Sequence, residues 1–255
     1  MAHYQQLQFV GIVAQHLTSD WAGLRVLEVG SLAVNGSVRP LFPGSDYTGI
    51  DLVAGDGVDL VASGDAPLFP DETFDLTLSC ECFEHNPKWA DTFRNMHRMT
   101  RRGGVVLITC AARGRQEHGT VRTTPHESPG TTALGWHYYR NLNRDDFARH
   151  FDLAALFDGH VFFRNDVSKD LYFVGRRAGG THQRLRLDFG GLNAELISRN
   201  TIVKRQEPFR VRRIFGRLLE LPLHCAERLP DRLFQSFALR WGPFATRLRN
   251  RSRRT

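Results

Sequence analysis

The stretch Val26-Leu27-Glu28-Val29-Gly30-Ser31, which continues as Leu32-Ala33-Val34-Asn35-Gly36-Ser37, decides the fold of this chain. Its apolar residues, interrupted by one acid and closed by glycine and small polar residues, predict a buried parallel strand that ends in a tight loop. About twenty residues further on, Tyr47-Thr48-Gly49-Ile50-Asp51 repeats the form as a short strand that ends in a carboxylate. Open α/β sheets bind ligands beyond the carboxyl ends of their strands, so the two stretches predict a nucleoside crevice. The loop lacks the GxGxxG pattern, which weakens the pyrophosphate interpretation.

Further elements follow in alternation. The apolar spacing predicts an amphipathic helix over 5–16 and a helix over 89–100 that is closed by Arg101-Arg102-Gly103-Gly104 as a C-cap turn. The predicted strands are 25–29, 47–51, 58–62, 74–80 and 105–109, followed by a closing hairpin of 156–163 and 171–174. We therefore expect a Rossmann-like doubly wound α/β fold, with a seven-stranded mostly parallel sheet and an antiparallel last strand. The long segment 111–139 has no periodicity but many aromatic and histidine residues, which favours a substrate lid.

Composition separates the chain into two regions. The chain has 255 residues and a net charge of +7, but residues 176–255 hold 19 of the 34 Lys and Arg and only 6 of the 27 Asp and Glu. We expect a domain over 1–178 and a basic, amphipathic helical extension over 179–255. No run is long and apolar enough to span a bilayer, and the first residues lack the basic region of a signal peptide, so we expect a cytoplasmic protein. The four cysteines lack zinc-ligand spacing, which favours buried free thiols.

The order of elements and the strand-end residues over roughly residues 20–177 resemble the class I S-adenosylmethionine-dependent methyltransferases, in particular the single-domain branch that acts on small molecules. The resemblance implies S-adenosylmethionine as the cofactor. The residues that it implies as cofactor-binding follow the first, second, third and fourth strands: Glu28, Gly30, Ser31 and Asn35 beside the methionine part, Asp51 on the ribose and Leu52 beside the adenine, Asp65 and Ala66 at the adenine amine, and Cys80 and Glu81 at the methyl-transfer site. The family's usual second glycine is replaced here by Leu32. The motif of base amino methyltransferases is absent after the fourth strand, which counts against methylation of DNA bases.

Methyl transfer from a sulfonium is a direct displacement, and a base is needed only when the acceptor is a hydroxyl. Histidine is the usual choice, and His85 and His118 are the predicted catalytic residues, with His126 as a further lid candidate. His85 is equally interpretable as a structural residue at the start of a helix. Glu81 and Glu84 could orient a base or bind substrate hydroxyls. No ligand spacing demands a metal and no metal ligand is assigned, but a divalent metal ion held by these acids and histidines stays open as an alternative to a histidine base.

The sequence does not decide between several possible partners for the basic extension. Over 209–221 an apolar face is flanked by arginines, and Leu233, Phe234, Phe237, Trp241, Phe244 and Leu248 continue the pattern. Such helices lie on anionic membranes, or pack on the catalytic domain or on a second subunit; nucleic-acid binding comes third. We predict an O-methyltransferase for a small or lipid-linked acceptor, a sugar or secondary metabolite. The alternatives are an RNA methyltransferase anchored by the extension, and a non-catalytic subunit that binds a partner.

Overall fold

The computed structural model describes residues 4–205 and 221–251, and its centre is one seven-stranded sheet. The strands are β1 (Arg25–Val29), β2 (Asp46–Asp51), β3 (Leu60–Val61), β4 (Phe74–Cys80), β5 (Thr100–Ala111), β6 (Phe157–Asn165) and β7 (Asp170–Arg177). They lie in the order β3-β2-β1-β4-β5-β7-β6, in which β7 runs antiparallel to both of its neighbours. The order reverses between β1 and β4, which places a crevice at the carboxyl ends of these strands. The predicted fold class is confirmed.

Helices cover both faces of the sheet. They are α1 (Tyr4–Leu17), α2 (Trp89–Met99), α3 (Pro129–Ala133), α4 (Arg144–His150), α5 (Leu153–Leu156), α6 (Phe189–Arg205) and α7 (Asp231–Arg251), with 3-10 turns at Arg39–Leu41, Phe83–His85 and Pro125–Glu127. The predicted opening helix and the predicted helix after residue 88 are both confirmed.

Alternate residues of the central strands enter two separate cores. Val26 of β1 packs with α1 on one face, whereas its neighbour Leu27 packs with Phe93 and Met96 of α2 on the other. All of these side chains are buried. Because the inner strands are covered on both faces, nearly every residue of β1 and β4 is buried, including the polar Asp75, Thr77 and Ser79 of β4.

The fifth strand is longer than its sequence predicts. Residues 101–104 belong to β5 and not to a C-cap turn, so that prediction is wrong. The register between β4 and β5 shifts at this point, and Gly103 has a φ of +74°. A Cβ on Gly103 would lie 2.7 Å from the backbone nitrogen of His182. The glycine is therefore required by a strand bulge that the segment 180–182 packs against.

Residues beyond the predicted boundary at 178 pack on the domain. Leu192 and Leu196 of α6 are buried in the core on the α1 side of the sheet. At the start of α7, Asp231 accepts hydrogen bonds from the backbone and side chain of Asn141. Gln235 accepts a hydrogen bond from the Glu117 backbone N–H at 2.8 Å. Part of the C-terminal extension thus binds the segment that follows β5.

The amphipathic pattern predicted for the extension is only partly visible. Its first apolar face lies outside the described residues: Val211, Ile214, Phe215, Leu218 and Leu219. In α7, Phe234 is buried with Ala226 and Ala238, while Leu233 and Phe244 are about half exposed. Among the described residues, the helices are too short or too polar to cross a bilayer.

Candidate functional site

A crevice lies at the carboxyl ends of β1, β2 and β4, where the sheet order reverses. It is lined by Val29, Gly30, Leu32, Val34, Ile50, Asp51, Leu52, Ala62, Gly64, Glu81, Cys82, His85, Asn86, Glu127, Ser128, Pro129, Gly130, Thr131 and Trp136. Its walls come from the strand ends on one side and from the predicted lid on the other.

The ends of β1 and β4 approach each other closely at Gly30. This glycine has a φ of +83°, and a Cβ built on it would lie 2.7 Å from Cβ and 2.9 Å from Sγ of Cys82. Glu81, which directly precedes Cys82, also has a positive φ, of 51°. Non-glycine residues in this region are uncommon and cluster at functional sites. The turn after β4 therefore directs Cys82 toward Gly30 and forms the floor of the crevice.

Asp51 projects into the crevice from the end of β2. Its carboxylate accepts hydrogen bonds from the backbone N–H of Leu32 at 3.1 Å and of Leu52 at 2.7 Å. Burial raises the pKa of Asp51, and these backbone hydrogen bonds partly offset the effect. A Cβ on Gly130 of α3 would lie 2.9 Å from Oδ1 of Asp51. The lid helix thus covers this carboxylate directly.

The predicted cofactor-binding residues do not all line the crevice. Gly30, Asp51, Leu52 and Glu81 do so. Glu28 instead lies on the α1 side of the sheet, where it accepts a hydrogen bond from the Tyr47 hydroxyl at 2.6 Å. Burial raises the pKa of Glu28 to about 7.

Other predicted residues lie just outside the crevice walls. Ser31 is buried against Gly49, and Cys80 is buried in the core next to α1. Asp65 forms an ion pair with Lys88 at 2.9 Å, and Ala66 lies in the same turn. This turn presents Ala62 and Gly64 to the crevice instead.

A second, wider cavity adjoins the first one. It is lined by Asn35, Glu81, Gly114, Arg115, Gln116, Glu117, His118, Thr123, Thr124, Glu127, Val167, Ser168 and Lys169. Glu81 and Glu127 line both cavities. Most residues that line the second cavity are of polar types, and two of its cations are paired: Arg115 with Asp170, and Lys169 with Glu227.

The two predicted catalytic histidines meet between these cavities. His85 lines the first cavity and His118 the second, and their ring centroids are 5.1 Å apart. The Tyr139 ring contacts both. Burial lowers the pKa of His118 to about 4, helped by the charge of Arg115, and burial with His118 nearby lowers the pKa of His85 well below its ordinary value. Both imidazoles are therefore neutral at neutral pH and can accept a proton or bind a metal.

Glu84 lies beside this histidine pair in the 3-10 turn Phe83–His85, and its side chain is fully buried. Burial and the nearby charge of Glu81 raise the pKa of Glu84 well above its ordinary value. Apart from the backbone N–H of Glu84 itself, no group among the described residues donates a hydrogen bond to its carboxylate oxygens.

Several crevice residues were missed by the sequence interpretation. Cys82 and Asn86 follow β4 within the turn, and the stretch 128–131 and Trp136 belong to the lid. The lid was recognised by its composition, but nothing in its sequence indicated which part would cover the crevice. The positive φ of Gly30 and the identity of its contact Cys82 depend on the packing of β1 against β4.

The comparisons with known proteins find one family model and several solved structures with a similar fold. Residues 27–108 match the model of a methyltransferase domain. No curated protein matches the chain. Phosphoethanolamine N-methyltransferase 2 from Haemonchus contortus, solved with S-adenosylmethionine, is 15% identical with a TM-score of 0.50, over 68% of this chain and 52% of that one.

Two further solved structures are similar. The YcgJ protein from Bacillus subtilis is 13% identical with a TM-score of 0.48, over 70% of this chain and 100% of that one. The 1,6-didemethyltoxoflavin N1-methyltransferase from Burkholderia thailandensis, solved with S-adenosylhomocysteine, is 17% identical with a TM-score of 0.43, over 62% and 72%. The matched domain and the sheet order confirm the predicted resemblance to the class I S-adenosylmethionine-dependent methyltransferases.

Proposed function

We propose that this chain, which has the class I methyltransferase fold, transfers a methyl group from S-adenosylmethionine to a hydroxyl of a small polar or lipid-linked molecule. The single observation that carries the proposal is the junction of the two cavities. They share Glu81 and Glu127, and one histidine of a contacting pair lines each cavity. A donor in the first cavity and an acceptor in the second would meet at this junction.

The first cavity fits the cofactor. Asp51 provides a carboxylate at the end of β2, where a ribose can donate hydrogen bonds, and Leu52 follows it as an apolar contact for the adenine. Gly30 keeps the space beside Cys82 free of a side chain, so that the cofactor can approach the backbone. Bound there, S-adenosylmethionine supplies an activated methyl group, and the chain has to align the acceptor with it.

The second cavity fits an acceptor with several hydroxyls. Amide and hydroxyl side chains line it, among them Asn35, Gln116, Thr123 and Thr124. His118 provides the means to activate a hydroxyl. Its Nδ1 lies 3.1 Å from the carbonyl oxygen of Gln116, which can only accept, so Nδ1 carries the hydrogen and Nε2 keeps a lone pair. A sugar or polyol is thus the acceptor class that the site favours.

The proposal is tested with methyl-labelled S-adenosylmethionine and a panel of free, nucleotide-linked and lipid-linked sugars, with products identified by mass spectrometry. We expect an O-methyl product, and a His118→Ala variant that still binds S-adenosylhomocysteine but transfers about a hundredfold or more slowly. Labelling only of amino groups, or an unchanged rate in the variant, would contradict the proposal. Transfer to RNA would instead favour the alternative of an RNA methyltransferase.

The extension supports a further proposal, that α7 holds the protein against an anionic membrane surface. Leu233 and Phe244, eleven positions apart, lie on one side of the helix and are about half exposed, with Arg232, Arg240 and Arg247 nearby in sequence. Sedimentation with anionic vesicles at low salt tests it. We expect the wild type to sediment with the vesicles and a Leu233→Ser/Phe244→Ser variant to stay in the supernatant. If the wild type stays in the supernatant and elutes as a dimer, this face is a subunit contact and not a membrane contact.

A further inference from the structure

We infer that Glu84, His85 and His118 form a binding site for a divalent transition-metal ion at the junction of the two cavities. One ligand atom from each residue, a carboxylate oxygen and two imidazole nitrogens, lies within 4.8 Å of the other two. Two histidines and a carboxylate are the ligand set of many three-ligand sites for zinc and for iron, which keep one or more positions open.

The state of Glu84 is the first observation that points to an ion. Its side chain is fully buried, and among the described residues no residue other than Glu84 itself, through its own backbone N–H, offers a hydrogen-bond donor to either oxygen. A buried carboxylate without a partner is costly, and such groups are normally paired, hydrogen-bonded or bound to a metal. Arg115, the nearby guanidinium, is already engaged by Asp170 and by the Ser168 carbonyl oxygen. A cation between Glu84 and the histidines would compensate its charge.

The orientation of His118 is the second observation. Metal-binding histidines usually donate their other ring N–H to a carbonyl or carboxylate, which fixes the tautomer and directs the free nitrogen at the metal. The Nδ1–H of His118 makes this hydrogen bond to Gln116, which leaves Nε2 as the donor atom. Nδ1 of His85 is buried and, among the described residues, has no hydrogen-bond partner.

The chain also brings the two histidines together through a glycine. Gly119 has a φ of +62°, and a Cβ on it would lie 2.7 Å from Cε1 of His85 and 2.9 Å from Cβ of Ser128. Any other residue at this position would separate the lid from the turn after β4. The close contact of the segment 118–119 with His85 is therefore built into the backbone.

The place of the site indicates its use, and this step rests on the proposed function. An open coordination position on the side of His118 would face the second cavity and bind a hydroxyl oxygen of the acceptor. The ion would lower the pKa of that hydroxyl, whose proton would pass to water. The oxygen would then form a bond to the methyl carbon while the bond from this carbon to sulfur breaks, leaving neutral S-adenosylhomocysteine. With the ion bound, His118 would activate the acceptor hydroxyl through the ion that it ligates, together with His85, rather than by accepting the proton directly.

Titration of the metal-free full chain with Co²⁺, followed by visible d–d absorption, tests the site directly. We expect the wild type to bind one equivalent, and Zn²⁺ to displace it. Glu84→Gln and His118→Ala should each weaken Co²⁺ binding by about tenfold or more. His137→Ala, which removes an exposed lid histidine outside the cluster, should bind as the wild type does.

Absence of Co²⁺ binding by the wild type, or unchanged affinity in both Glu84→Gln and His118→Ala, would overturn the inference. Circular dichroism and S-adenosylhomocysteine affinity show which variants are folded, and one folded variant is enough to decide. The readout requires no turnover. If the chain binds Co²⁺ but methylates no hydroxyl, the metal site is supported and the proposed function is refuted. If the chain methylates a hydroxyl but binds no metal, the proposed function is supported and the metal site is refuted.

Discussion

Replacement of Gly30 by alanine tests the geometry of the crevice. The residue has a φ of +83°, a conformation that costs an L-residue about 1–2 kcal/mol. Its new Cβ would also lie 2.7 Å from Cβ of Cys82, and such overpacking costs about 1–3 kcal/mol. Gly30→Ala should therefore lower the free energy of unfolding by about 2–5 kcal/mol, and also weaken binding of S-adenosylhomocysteine, since the methyl group enters the crevice.

The matched control is Gly23, which lies before the start of β1, whereas Gly30 follows its end. Gly23 has a φ of +70°, but a Cβ there has no atom within 4 Å. Gly23→Ala should lower the free energy of unfolding by only about 1–2 kcal/mol, the cost of the left-handed backbone conformation, and should leave ligand affinity unchanged. Urea unfolding of both variants, with calorimetry of ligand binding, measures the difference. If Gly30→Ala were no less stable than Gly23→Ala and bound the ligand normally, the close contact between Gly30 and Cys82 would be refuted.

Three further outcomes are expected. Gly119→Ala should slow methyl transfer about tenfold or more, because its Cβ displaces His85; initial rates measure this. Gln235→Ala should destabilise the fold by about 1–3 kcal/mol in urea unfolding, because the buried N–H of Glu117 loses its partner. Glu28→Gln should gain stability relative to the wild type as pH rises from about 4.5 to about 7: the raised pKa makes the wild type lose roughly 3 kcal/mol over this window.

Each of these has a contrasting result. Gly135→Ala, in the same lid with a φ of +70° and open space around it, should keep the wild-type rate; equal losses in both glycine variants would refute the role of the His85 contact. Hydrogen exchange of the Glu117 amide should accelerate in Gln235→Ala, and unchanged protection would argue against docking of α7. A pH-independent difference between Glu28→Gln and the wild type would show that Glu28 does not titrate in this range.

Much of the fold follows from local sequence. Short stretches in which apolar residues recur predict the strands that end at Val29, Asp51 and Cys80. The helix at Arg144–His150 is likewise predictable, since Asn143 and Asp146 form a capping box. These signals act within a few residues of each other.

The rest of the site depends on contacts between distant segments. Cys80 and Glu81 were expected at the methyl-transfer site: Glu81 lines the crevice, whereas Cys80 is buried in the core next to α1 and Cys82 lies in the crevice beside Gly30. Glu28 was expected beside the cofactor, but in the structure its carboxylate accepts a hydrogen bond from the hydroxyl of Tyr47 on the neighbouring strand β2. Glu84 belongs to the turn after β4 and His118 to the lid, and the two side chains lie close together in the structure. Their separation along the sequence does not predict this contact.

Calorimetric titration with S-adenosylhomocysteine tests the central claim, that the crevice binds the cofactor. The wild type should bind one equivalent. Asp51→Ala should weaken binding about ten- to a hundredfold, the effect of one or two charged hydrogen bonds. Asp46→Ala, which removes an exposed carboxylate from the other end of β2, should bind normally. A wild type that shows no binding, or an Asp51→Ala variant that binds as tightly as the wild type, would contradict the account.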